Sequence, residues 1–219
     1  MTQLVWNEPD EKLYELGVEK GVLFVRDAAA DYPVGEAWTG LISVAETPGG
    51  AETTDLYASN EKYTSLISME TFGGTIEAYR YPEGWASCDG TKSVMPGVMM
   101  SQQPRSTFGL AYLTKIGSDA VGQDLGYKLH LVYGALAKPS ERTFATIGES
   151  PEAITFSYEF TTTPVNVVGS KPTALIVIDS TIATTAQWDA ITDVVFGTVA
   201  DDARLPLPDE VFTLIAAAI

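Results

Sequence analysis

Few side chains in this sequence could do acid–base, nucleophilic or metal chemistry, and their spacing is poor for it. His130 is the only histidine and Cys88 the only cysteine. A Ser-His-Asp relay would have to use His130, yet no Gly-x-Ser-x-Gly elbow is there to display a nucleophile. On the wetter side of an alternating strand, a lone histidine reads as a surface or interface imidazole. One Cys and one His allow neither an intrachain disulfide nor a Cys/His zinc site. Cys88 stands beside Asp89 with no basic neighbour to favour a thiolate. Gly49-Gly50 and Gly73-Gly74 are not followed by Lys-Ser/Thr and do not form Gly-x-Gly-x-x-Gly, so neither is a phosphate loop. With 29 acids, some carboxylates must lie close together, so a glycosidase-type pair means little here. The acids also lack the Asp-x-Asp-x-Asp spacing of a calcium loop. Met95, Met99 and Met100 fit adaptable contact residues better than metal ligands. The reading is a non-enzyme with no cofactor and no metal.

The elements that would position such residues are strands. In Gly126–Phe160, Tyr127, Leu129, Leu131 and Tyr133 alternate with Lys128, His130 and Val132. Further on, Ile154, Phe156, Tyr158 and Phe160 alternate with Thr155, Ser157 and Glu159. A period of two marks strands with one buried and one wetter face. Further strands are expected at 22–25, 38–46, 53–57, 63–69, 73–81 and 106–115. Thr173–Asp179 is nearly all apolar and reads as a central strand buried on both sides. One helix is expected: Thr184 and Gln187 form a capping box, Trp188, Ile191 and Val195 share a face, and Gly197 can end it. Residues 1–20 read as an arm, 21–200 as the β domain, and 201–219 as a C-terminal segment. Within the domain, 82–105 is a long irregular loop, with a short helix expected near Glu83–Cys88.

The hydrophobic fraction is 45% and the charged fraction 19%, which suits a globular chain. Net charge is −16, which disfavours gripping nucleic-acid phosphates. The plain reading of that charge is solubility; the sharper one is a surface that must not bind nucleic acid. The N-terminus lacks the charged-then-apolar pattern of a secretory signal, and no apolar run is long enough to span a bilayer. The expectation is a chain made and folded in a cytoplasm.

Several blocks are similar to those of major tail tube proteins of long-tailed, non-contractile bacteriophages. They are Gly73-Gly74-Thr75-Ile76-Glu77-Ala78-Tyr79, Gly126 to Ala135, Pro139-Ser140-Glu141-Arg142, Ser150 to Ser157, and Leu205-Pro206-Leu207-Pro208-Asp209-Glu210. Their order covers roughly residues 18–212. The resemblance implies a mainly β fold: an antiparallel sandwich or barrel of the tail-tube type, with one flanking helix and long arms and loops. It implies hexameric rings stacked into a tube around a tape-measure protein, closed by terminator and tail-tip or baseplate proteins. DNA would pass down the lumen without specific binding, and the protein would reside in the virion tail, assembled in the bacterial host cytoplasm.

Open sheet edges and a negative wall agree with that reading. The arm 1–20, the loop 82–105 and the C-terminal segment are expected to make contacts between subunits and rings. Candidate lumen-facing acids are Glu46, Glu52, Glu70 and Glu77. The alternative is a carbohydrate- or receptor-binding β-sandwich of a tail tip or adhesin, for which Trp38 and Trp85 would be the contact aromatics.

Overall fold

The computed structural model describes residues 4, 6–8, 11–147 and 153–218. Ser150, Pro151 and Glu152 of the blocks above lie outside the described residues, as does part of the N-terminal stretch. The strands in chain order are β1 (Leu13–Val25), β2 (Gly35–Ala37), β3 (Leu41–Glu46), β4 (Thr53–Ala58), β5 (Glu61–Ile67) and β6 (Gly73–Ala78). Then come α1 (Trp85–Asp89), β7 (Lys92–Met95), β8 (Val98–Met100), β9 (Phe108–Ser118), β10 (Gly122–Ala137), β11 (Phe156–Thr162) and β12 (Leu175–Asp179). Two helices close the chain, α2 (Thr185–Phe196) and α3 (Pro208–Ala217). The fold is mainly β and the strand pairs are antiparallel, as the alternation predicts.

One eight-stranded sheet runs β2-β1-β9-β10-β11-β6-β3, with β12 also on β10. It curls until its two halves face each other. Leu23, Leu110, Tyr112 and Val132 of one half share a core with Ile76, Ala78, Tyr158 and Phe160 of the other. Trp38, Trp85 and Phe108 complete it, with tilted or edge-on ring pairs at 4.9 and 5.0 Å. Each such side chain, fully buried, contributes on the order of 1.5–3 kcal/mol. Within the β11-β6-β3 half the packing at Gly74 is so close that a Cβ there would sit 2.5 Å from the Ala45 carbonyl and 2.8 Å from the Phe160 ring. Only glycine fits at that point.

The other side of β1, β9 and β10 is covered by the C-terminal helices. Phe24, Leu113, Leu129, Leu131 and Tyr133 pack with Ile191, Val195, Leu205 and Val211. The expected capping box of α2 is present: Gln187 N donates to Thr184 Oγ1 (3.3 Å), and Thr184 N donates to Gln187 Oε1 (3.0 Å). The chain is helical again over 208–217, with Pro208 in the first turn. An Arg204–Glu210 fork (2.9 and 2.6 Å) joins its approach to its first turn.

Four expectations change. Leu13–Lys20, read as arm, belongs to β1 and pairs with β9 up to Ser118. The 82–105 loop is ordered as α1 and a β7–β8 hairpin. β12 is not a central strand: it pairs only with β10 over Lys128–Val132, and only Ile178 of Leu175–Asp179 is buried. β10 forks, giving its first part to β12 and its last, Ala135–Ala137, to β11. Finally, the supposedly wetter face of β10 is interior, because the β11-β6-β3 half folds over it.

Candidate functional site

That folding over places His130 inside. Its side chain is 11% exposed and its ring stacks on Tyr112, with centroids 4.6 Å apart and planes 8° apart. This corrects the surface-imidazole reading. His130 Nδ1 lies 3.1 Å from Glu46 Oε1, and Nε2 lies 3.1 Å from Thr114 Oγ1. A carboxylate only accepts, so Nδ1 carries the proton on the Glu46 side, and Nε2 shares a hydrogen bond with the Thr114 hydroxyl. Tyr112 Oη also donates to Glu46 Oε1, at 2.5 Å. The His130 contact, aided by Tyr112, holds the Glu46 carboxyl below the usual carboxylate range. Burial and then Glu46 push the Tyr112 hydroxyl upward, so it stays a donor.

The order hydroxyl–imidazole–carboxylate is that of a hydrolytic relay. Here, however, Thr114 sits in mid-strand, with β9 paired on both sides. The network instead pins the rim of β3 to β9 and β10. Cys88 is buried, and burial pushes its thiol up to about 12, which suits an inert core residue. Among the described residues no group of His, Cys, Asp or Glu is arranged to hold a metal ion. No helix there is long and apolar enough to cross a membrane.

The four candidate acids divide. Glu46 turns toward the sandwich interior and is engaged as described. Glu52 and Glu70 are exposed, flanking the base of the β4–β5 hairpin. Glu77 lies on the outer side of the β11-β6-β3 half and accepts from Ser43 Oγ at 3.0 Å. The register sets Ser43 and Ser157 opposite Glu77, and Ala45 and Glu159 opposite Thr75. The result is a face of small hydroxyl residues with two acids. A trough of about 450 Å³ lined by Thr71, Gly73, Thr75, Glu159 and Thr161 runs across it. Glu159, paired with Lys138, was not among the candidates. Its alternation with Phe156, Tyr158 and Phe160 was the signal that could have found it.

Two hairpins stand outside the main sheet, β4–β5 and β7–β8. The β4–β5 turn is the two-residue Ser59-Asn60, both at positive φ (52° and 63°), which fits the twist of a tight hairpin. On one face of this hairpin Asp55 is bound to Ser65 (2.6 Å) and Lys62 (2.8 Å), with Ile67 exposed beyond them. The other carries Leu56 and Leu66, and every residue of both strands is exposed. On β7–β8, Val94, Met95, Val98, Met99 and Met100 are likewise exposed. Sequence reasoning read 82–105 as a contact segment but did not single out β4–β5. By contrast, Trp38 and Trp85, the aromatics of the sugar-binding alternative, are 4% and 0% exposed.

No family model matches the chain, and no curated protein matches it. Among solved structures, it is similar to a chain of the PVC sheath–tube complex of an extracellular contractile injection system, in the extended state. That match has 11% identity and a TM-score of 0.36, covering 73% of this chain and 88% of the other. A second is the tube-terminating cap of the anti-feeding prophage, with 9% identity and a TM-score of 0.32, covering 82% of this chain and 97% of the other. Both are weak likenesses.

Proposed function

We propose that this chain is a structural subunit of a phage-type tail tube. Copies close into hexameric rings, the rings stack, and the lumen conducts DNA into the host. The observation that carries this is the pair of hairpins that stand outside the main sheet with their apolar side chains exposed. Contiguous exposed apolar surface of this kind marks an interaction site. The edge of β3 gives a ring a way to continue the sheet from copy to copy.

The Ser43–Thr75–Glu77–Ser157–Glu159 face is the proposed lumen wall. Small hydroxyls make it smooth, and its acids repel DNA phosphates, so the genome slides. Glu52 and Glu70 belong to the rim of that wall. The N-terminal residues up to Lys12, with Leu4 and Trp6 exposed, supply further contacts between copies, as does the β7–β8 hairpin. The C-terminal segment contributes less, since Leu205 and Val211 are packed on its own sheet and Phe212 is left outside. The sequence blocks support the non-contractile tail type, with a tape-measure protein, a terminator and tip proteins as partners, and the virion tail as location. The receptor-binding reading loses its motive with the burial of Trp38 and Trp85.

The test is L56S/L66S. Leu56 is 41% and Leu66 55% exposed, so the monomer's stability should change by no more than roughly 0.5 kcal/mol. By light scattering, wild type should grow into large species with concentration while the variant stays small. Equal growth of the variant would refute the hairpin's role.

A further inference from the structure

Residues 138–147 leave β10 without secondary structure, and 141–147 are exposed throughout. Among the described residues of 141–147, one side chain ties the segment to the rest of the protein. The Arg142 guanidinium pairs with the Asp89 carboxylate at the end of α1. It also lies 5.9, 5.9 and 5.8 Å from the ring centroids of Tyr81, Phe156 and Tyr158.

The walls of this cage are braced independently of the arginine. Tyr81 meets Phe156 edge-on at 5.3 Å, and Phe156 stacks on Tyr158 at 6.3 Å. The Asp89 side chain is only 9% exposed and has a second cation, Arg105 Nη1, at 3.8 Å. The same Nη1 donates to the Ala137 carbonyl at 3.1 Å, so Arg105 stays in place whether or not Arg142 does. A trench of about 640 Å³ with Tyr81 and Phe156 in its wall opens beside the cage. Three aromatic faces and one shielded carboxylate suit a planar, weakly hydrated cation better than an ammonium.

We propose that Tyr81, Phe156, Tyr158 and Asp89 form a guanidinium-binding cage, filled in the resting fold by Arg142, and that this occupancy fastens the 138–147 strap. Phe144 and Ile147 are thereby held outward, 72% and 89% exposed. When Arg142 leaves, the cage stays formed and accepts a free guanidinium from solution through the trench. The inference stands whether or not the chain builds a tube.

The experiment is R142A in the full chain. Backbone NMR order parameters over 138–147 should fall to below about 0.6 while those of β9 and β10 are unchanged. Methylguanidinium at low millimolar concentration, compared with the same concentration of sodium chloride, should raise the melting temperature of R142A saturably. It should do so neither for wild type, whose cage is filled, nor for R142A/D89N. If R142A does not fold, R142K serves in the order-parameter comparison, since it keeps the charge but not the planar fork. Unchanged strap order parameters, or the absence of a saturable shift specific to the vacated cage, would overturn the proposal.

Discussion

Replacing Glu46 by alanine should destabilise the fold by about 2 kcal/mol, although the residue lies at a rim. Two donors converge on Glu46 Oε1, the Tyr112 hydroxyl and His130 Nδ1. A hydrogen bond to a charged group is worth about 1.5–3 kcal/mol, and a buried donor left unpaired costs about 1–3 kcal/mol. Tyr112 is 2% exposed, so its hydroxyl cannot turn to water when the carboxylate is gone. The Glu46 side chain is itself 32% exposed, so solvent screening lowers the charge-assisted part. The net is about 2 kcal/mol, and for a chain of this size it corresponds to roughly 4–8 °C in Tm. Tyr112→Phe removes one donor without stranding another, and should cost about 1 kcal/mol.

The pH dependence has a definite sign. The folded carboxyl of Glu46 titrates below its unfolded value, so its contribution is complete above the unfolded pKa of about 4.3. It is lost as pH falls through the lower folded value. The gap between wild type and Glu46→Gln should therefore shrink in strong acid and be constant from pH 6 upward to about pH 8. Denaturant melts of the unassembled chain across that range are the assay. A Glu46→Ala variant that melts within about 1 °C of wild type at neutral pH would refute the reasoning, since the estimate requires several degrees.

Two further outcomes are expected. E77K/E159K should leave assembly intact and convert the proposed lumen wall from repelling to retaining DNA. The readout is slower DNA release from particles carrying the variant, and unchanged release would remove that face from the lumen. Thr184→Ala deletes both the hydroxyl and the reciprocity of the capping box on α2, and should cost about 1 kcal/mol, read as a fall of roughly 2–4 °C in Tm. No change would mean that tertiary packing alone sets the start of that helix.

Local rules explain how much of this was legible. The alternation of Phe156, Tyr158 and Phe160 and the Thr184–Gln187 box each fixed an element from a few adjacent residues. What could not be read locally was the curl of the sheet. His130 and Val132 alternate with a strongly apolar set, which reads as a wet face, but a second half-sheet from residues 41–78 and 156–162 covers them. Nothing within 126–135 announces that partner. β12 failed for the related reason that an all-apolar strand reads as central, whereas the fork of β10 leaves it a single neighbour. The tryptophans failed as surface markers because residue type does not report burial: Trp38, at the start of an expected strand, and Trp85, in an expected loop, meet in the core. The β4–β5 hairpin was visible as two strands. Its isolation from the sheet, on which its proposed contact role rests, is a property of the whole fold.

The central claim is self-assembly into a tube, and the most direct measurement is electron microscopy of the purified full chain across a concentration series. The account predicts six-fold rings or hollow filaments, with the β4–β5 hairpin in the contacts between copies. A species that remains monomeric at high concentration, and stays so when tape-measure and terminator proteins are supplied, would contradict it.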